Sequence, residues 1–343
     1  MTREALKQAL DIHSTARNNP QVDLAIQAGT RAAENQMQRV FYPTVATRYF
    51  DWPNYQRAAP WRLWLDAWEL AAIPTSVTSG GVAIPLNECF FEPANSGPPY
   101  TWLELNRSTS ATFGAGPTPQ RNIAITGVFG YSLDSAPAGS LAAEVTDTTG
   151  TSITVTNAEA AGVGDVIQIG TERMILSDKA MATTGETQQG TLSANSNDQQ
   201  LGVTDGTKYT IGEVVILDAE RMLIIDVVGN SLTVKRAWDG STLATHAAAA
   251  IYAARSWTVV RGALGTTAAT HTNGTAISRH VPPPLITQLA LAEAENHLLQ
   301  AQSGYARTVG SADNMRPVSG QSLADIRKVA YQSYGRKGRL RVV

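Results

Sequence analysis

Two segments of the chain repeat two others, in an order that restricts its fold more than any other feature of the sequence. Val163-Gly-Asp-Val-Ile-Gln-Ile-Gly-Thr-Glu-Arg-Met-Ile-Leu176 matches Ile211-Gly-Glu-Val-Val-Ile-Leu-Asp-Ala-Glu-Arg-Met-Leu-Ile224, with Gly, an acid, Val and Glu-Arg-Met at common offsets. Ser231-Leu-Thr-Val-Lys-Arg236, followed by Gly240 and Thr245-His246, matches Ser256-Trp-Thr-Val-Val-Arg261, followed by Gly265 and Thr270-His271. The order is first element, first element, second element, second element, which no tandem array produces. Only Val227 to Asn230 separate the inner halves, a composition suited to a hairpin turn, whereas 77 residues separate the outer halves. An inner unit of about Gln189 to Arg255 is therefore predicted inside the hairpin of an outer unit, about Ala142 to Asp178 plus Ser256 to Ile277. Loop tips tolerate such insertions because their ends lie close together. Nesting requires Val166 to Leu176 to pair with Trp257 to Arg261 and not with Leu232 to Arg236.

The rest of the chain fits around this β core. At 343 residues, two or three structural units are expected. A composition 43% hydrophobic and 16% charged, with 28 Gly and 16 Pro, suits strands and turns. Helices are predicted from Thr2, a candidate N-cap, to Thr15, and from Asn19-Pro20 to a stop at Pro43. Val22, Ile26, Gly29, Ala33, Met37 and Val40 form one apolar face on the second. Strands follow at Ala46 to Trp52, Trp61 to Asp66, Ile73 to Thr78, Thr101 to Asn106 and Asn122 to Tyr131. Ser132 to Gly139 reads as a linker and Val281 to Pro284 as a stiff spacer. Helices return at Leu285 to Gly304 and Ser322 to Tyr334. The units are residues 1–44, N-terminal helices; 45–132, an aromatic β region; 140–280, the inserted β domain, its inner copy about 189–255; 281–335, C-terminal helices; and 336–343, a basic tail. The expected fold class is α+β: a helical bundle built from the N- and C-terminal helices, with inserted antiparallel β regions and a nested duplicated β unit.

No segment approaches a membrane span, and the first residues carry Arg3, Glu4 and Lys7 rather than a signal-peptide core, so the chain reads as soluble and unsecreted. Cys89 is the sole cysteine, which excludes an intrachain disulfide and a cysteine zinc cluster. A net charge of -2 argues against a protein that grips duplex DNA. Charge is uneven, however. Ile326 to Val343 holds six bases and no acid, while Leu141 to Ile277 holds 14 acids against 8 bases.

His246 and His271 occupy equivalent repeat positions, which raises a metal site, but neither copy shows a second His or a nearby carboxylate pair, so each is expected to satisfy its own turn. Glu172-Arg173 and Glu220-Arg221 are expected as solvent-facing strand charges or subunit contacts. No catalytic motif is present, and no enzyme activity, cofactor or metal is expected. Nine of the 23 aromatics fall between Phe41 and Trp68. Tyr49, Phe50, Trp52, Trp61, Trp64 and Trp68 read as core packing and subunit contact rather than as a stacking platform for bases or sugars, because few basic residues accompany them. Gly338-Arg-Leu-Arg-Val-Val343 fits a strand added to a partner's sheet and equally a frayed basic tail.

Tyr42-Pro-Thr-Val-Ala-Thr-Arg-Tyr-Phe-Asp-Trp-Pro53, Trp61-Arg-Leu-Trp-Leu-Asp66, Pro98-Pro-Tyr-Thr-Trp-Leu-Glu-Leu105 and Ile125-Thr-Gly-Val-Phe-Gly-Tyr131 resemble, in that order, the head-to-tail connector (adaptor, head-completion) proteins of long-tailed phages. The repeat phrases Glu-Arg-Met and Arg261-Gly-Ala-Leu-Gly-Thr-Thr-Ala-Ala-Thr-His271 look like the β-insertions that some members carry. The resemblance implies a virion protein of the neck, present in host cytoplasm during assembly. It would dock on the portal protein as a ring of twelve copies, receive the next neck ring (stopper) or tail protein, and line a channel for double-stranded DNA without sequence specificity. Portal docking is carried over onto Arg336, Lys337, Arg339, Leu340, Arg341, Val342 and Val343, and ring packing onto the six aromatics above. The alternative is a carbohydrate- or receptor-binding virion module, which would display Trp52, Trp61, Trp64 and Trp68 in an open groove.

Overall fold

The computed structural model describes residues 1–12, 18–52, 59–302, 308–309, 316–317 and 321–337. Thr2 caps α1 (Arg3–Ala9), its hydroxyl accepting from the Ala5 amide at 3.2 Å. Pro20 stands in the first turn of α2 (Asn19–Met37), where a missing amide hydrogen costs nothing. Gln38, in left-handed conformation, ends α2 before Pro43 is reached.

The aromatic region holds β1 (Thr44–Phe50), β2 (Arg62–Trp64), β3 (Ser76–Ser79), β4 (Val82–Ile84), β5 (Cys89–Glu92), β6 (Trp102–Leu105) and β7 (Ile123–Phe129). They make two antiparallel sheets, ordered β1-β7-β3-β4 and β2-β6-β5. Burial alternates along β7, as a half-buried strand requires. Phe50, Leu63, Leu70, Val77, Leu103, Ile123 and Ile125 share the core between the sheets.

The repeats form the next layer: β8 (Ser135–Ser140), β9 (Ser152–Thr154), β10 (Val166–Ile169), β11 (Glu172–Thr187), β12 (Thr191–Leu192), β13 (Gln200–Gly202), β14 (Val214–Leu217), β15 (Glu220–Val228), β16 (Ser231–Lys235), β17 (His246–Ala247), β18 (Ala250–Val260) and β19 (Ala276–His280). Ile175 pairs with Val260 and Leu176 with Val259, whereas Leu232 and Val234 pair with Val227 and Ile224, the arrangement nesting requires. Two six-stranded units with one topology result. The outer runs β8-β19-β10-β11-β18-β9, and the inner runs β11-β18-β14-β15-β16-β13. The long strands β11 and β18 serve both, their outer halves in one unit and their inner halves in the other. A Leu141–Val155 bridge joins the first and last strands of the outer unit, and a Gln189–Gly202 bridge those of the inner.

Each unit encloses its own core at matching positions. Ile167, Ile169, Met174, Leu176 and Val259 correspond to Val215, Leu217, Met222, Ile224 and Val234. The inner unit begins before Gln189, because residues 182–187 are its first strand. Residues 132–139 are not a linker either: most of them belong to β8, an edge strand where Pro137 and the positive-φ Gly139 are tolerated.

The chain ends in α3 (Pro284–Gln302), the short pair β20 (Thr308–Val309) and β21 (Arg316–Pro317), and α4 (Gln321–Tyr334). Gly29 lets α2 meet α3 closely: a Cβ there would sit 2.6 Å from the Ala290 carbonyl. Arg327 ties α4 to α3 through Glu293, with bonds of 2.5 and 2.7 Å.

The expected helical bundle hosting β insertions is not what the chain builds. Among the described residues strands take 36% and helices 22%, so this part of the chain is mostly antiparallel sheet with four α-helices attached. The physical reason lies in the cores. Each β unit closes its own ladder and buries its own apolar residues, so it needs no helical host. Helices at both ends of a sequence do not make them the scaffold.

Candidate functional site

Each repeat unit is tied by a buried carboxylate that begins the second strand of its first hairpin. Glu172 and Glu220 are fully buried and Arg173 is also buried, so the expectation of solvent-facing Glu-Arg strand charges is corrected for these three residues; Arg221 is half-buried. Glu220 receives the Arg236 guanidinium through Nε at 2.8 Å and Nη2 at 2.9 Å. The Ala237 and Ala244 amides donate to it at 2.9 and 3.0 Å, and His246 Nε2 lies 2.9 Å from Oε2. Glu172 repeats the set with Arg261 (2.7 and 2.9 Å), the Gly262 and Ala269 amides (2.9 and 3.0 Å) and His271 (2.8 Å). The carboxylate missed in sequence for each histidine is thus the Glu of its own repeat. Its signal was the joint recurrence of Glu, Arg and His in both copies.

Burial alone would push both carboxyls up. The guanidinium, the two amides and the imidazole outweigh it and hold each at about 2. Both oxygens of each carboxylate are filled by protein donors, leaving no lone pair to take a substrate proton. These groups fasten loops: Arg261 also donates to the Gly150 and Ala269 carbonyls, and Arg236 to those of Ser193, Asp198 and Ala244. The inner network has a further contact. Asp218, which replaces Gly170, contacts His246 Nδ1 at 2.8 Å.

The aromatic candidates divide. Phe50 is in the core; Trp52 and Trp61 pack against it half-buried, Trp64 is half-buried, and Trp68 and Tyr49 are exposed. Each tryptophan has an internal partner. Trp52 meets Phe113 at 5.0 Å and Trp64 meets Trp102 at 4.6 Å, while Arg48 lies over Trp68 at 3.4 Å and Arg107 over Trp61 at 4.3 Å.

Of the tail candidates, Arg336 is bound within the chain. Its amide donates to the Met37 carbonyl at 3.0 Å, and its guanidinium meets the buried Glu69, which also faces Arg39, at 3.0 Å. Lys337 is exposed and reaches the Gln332 carbonyl at 3.1 Å. Arg339, Leu340, Arg341, Val342 and Val343 lie outside the described residues, as does the strand expected over them. A cleft of about 820 Å³ separates α2 and α3 from the outer β unit, lined by apolar residues such as Leu24, Ala28, Ile286, Val166 and Ile175.

No described helix is long and apolar enough to cross a membrane. No protein-family model, curated protein or solved structure matches the chain.

Proposed function

We propose that this chain is a structural subunit of a tailed-phage neck, a head-to-tail connector that assembles as a ring on the portal protein and offers its far side to the next neck ring or tail. The observation that carries this reading is the anchoring of Arg336. By bonding to Met37 and Glu69, it fixes the root of the basic C-terminal segment where α2, α4 and the aromatic sheets meet. A segment that leaves from a fixed point and alternates basic and apolar residues is suited to adding a strand to a partner's sheet edge. Repetition around a ring multiplies weak contacts of this kind. A near-neutral chain suits a lumen that DNA must traverse without adhering.

The carbohydrate-binding alternative is less well supported. Sugars stack on free ring faces, and Arg48 and Arg107 already cover Trp68 and Trp61. The test is a truncation after Lys337, which spares the Arg336–Glu69 pair. The expected protein folds and fails to join portal-containing heads to tails; normal joining by the truncated protein refutes the docking role.

A further inference from the structure

The two repeat units agree in their cores and differ on one outer row. In the outer unit, Gln168 stands across from Arg173 on one side and Ser278 on the other. The equivalent inner row is Arg221, Ile216 and Tyr252. The arginine is common to both, but an amide and a small hydroxyl replace an aliphatic and an aromatic side chain beside it. Where the inner row carries bulk, the outer row borders a cavity of about 240 Å³, lined also by Pro43, Leu133, Asp134, Ser135 and His280. That is several times a water's share of liquid volume, roughly 30 Å³.

The other described arginines of the two β units have carboxylate partners. Arg221 approaches Asp239 at 3.9 Å, and Arg236, Arg255 and Arg261 each hold a buried glutamate. Arg173 is 92% buried, from a relative exposure of 8%. Among the described residues no carboxylate lies within ion-pair distance of it, and its Nη1 is buried without a hydrogen-bond partner. Asp134 lines the cavity but makes no such pair. A guanidinium so placed has a strong electrostatic demand for an oxyanion, which its fork of donors matches. His280 stands on the neighbouring row, where its Nε2 donates to the Phe41 carbonyl at 2.8 Å, and Ser135 pairs with it across β8 and β19.

We propose that this cavity is a binding site for a small tetrahedral oxyanion of the phosphate class, received by Arg173 with the Ser135 and Ser278 hydroxyls beside it. It is a site of the outer unit only, since Ile216 and Tyr252 occupy the matching place in the inner one. Bound there, the anion links β8, β10, β11 and β19 to the Pro43 turn that leads into the aromatic region. The site is independent of the proposed neck role.

The test is calorimetric titration of the full chain with sodium phosphate at constant ionic strength, alongside thermal melts. Wild type is expected to bind one equivalent and to melt higher as phosphate rises, to saturation. Arg173→Met is expected to weaken binding at least tenfold. Ser278→Tyr, which places the inner row's residue at the cavity wall and fills the cavity, is expected to do the same while its melting transition without phosphate stays cooperative, keeping the test valid if the arginine variant unfolds. Equal behaviour of wild type and Ser278→Tyr overturns the site. Tighter binding of acetate than of phosphate overturns the ligand class, and displacement of phosphate by a short DNA duplex overturns a free oxyanion as its source.

Discussion

Glu220 Oε2 and His246 Nε2 lie 2.9 Å apart, the same contact that joins Glu172 to His271 at 2.8 Å. The duplication therefore copied a buried charge network as well as strands. Replacing Glu220 by Gln leaves the guanidinium of Arg236, 1% exposed, without its counter-charge. A cost of about 3–5 kcal/mol is expected in urea unfolding. Glu220→Met with Arg236→Met should recover much of it, because removing both charges leaves neither buried alone.

Acid should weaken the fold through the same pair. Both carboxyls fall from 4.5 to about 2 on folding, so their stabilisation is complete above about 4.5 and is lost as pH falls through 2. At pH 3 each should have lost about 2 kcal/mol by linkage. Asp165, which is buried, and Glu159 have the opposite sign, both raised chiefly by desolvation, and favour the fold slightly as they protonate. Urea midpoints at pH 6 and pH 3 for wild type and for Glu172→Gln measure the difference; the variant should show a shallower acid limb.

The nested order was legible because Gly, Glu-Arg-Met and Thr-His recur at fixed offsets, and the ladder Ile175–Val260 follows that order. The burial of Glu172 was not legible. Alternation along a strand marks a charged residue as outward, yet Glu172 opens β11 facing inward because Arg261, 89 residues further along the chain, supplies its counter-charge there. The dominance of sheet over helix was missed for a related reason: self-closure of each β unit depends on bridges such as Leu141–Val155, which have no local signature. The tail's anchor at Glu69 also escaped notice, since a lone acid between Trp68 and Leu70 carries no pattern.

Gly29 sets the approach of α2 to α3. Gly29→Val should destabilise the protein by about 1–3 kcal/mol through overpacking against Ala290 and Ala294, both of which press backbone atoms on it. Thermal unfolding checks this, and Ala28→Val on the half-buried neighbouring position serves as the control, with a smaller change.

Cys89 should be inert in the native protein. It is buried, and desolvation pushes its thiol up to about 11, so little thiolate exists at pH 8. Iodoacetamide is expected to label it only after denaturation, as mass spectrometry would report.

The nested duplication is tested most directly by excising the inner unit. Ala182 and Ala253 face each other across β11 and β18, so residues 183–252 can be replaced by an Asn-Gly hairpin turn. The shortened chain should unfold cooperatively and retain cross-strand contacts between Leu176 and Val259 by nuclear magnetic resonance. An unfolded chain, or one in which those contacts are lost, would contradict two self-contained units.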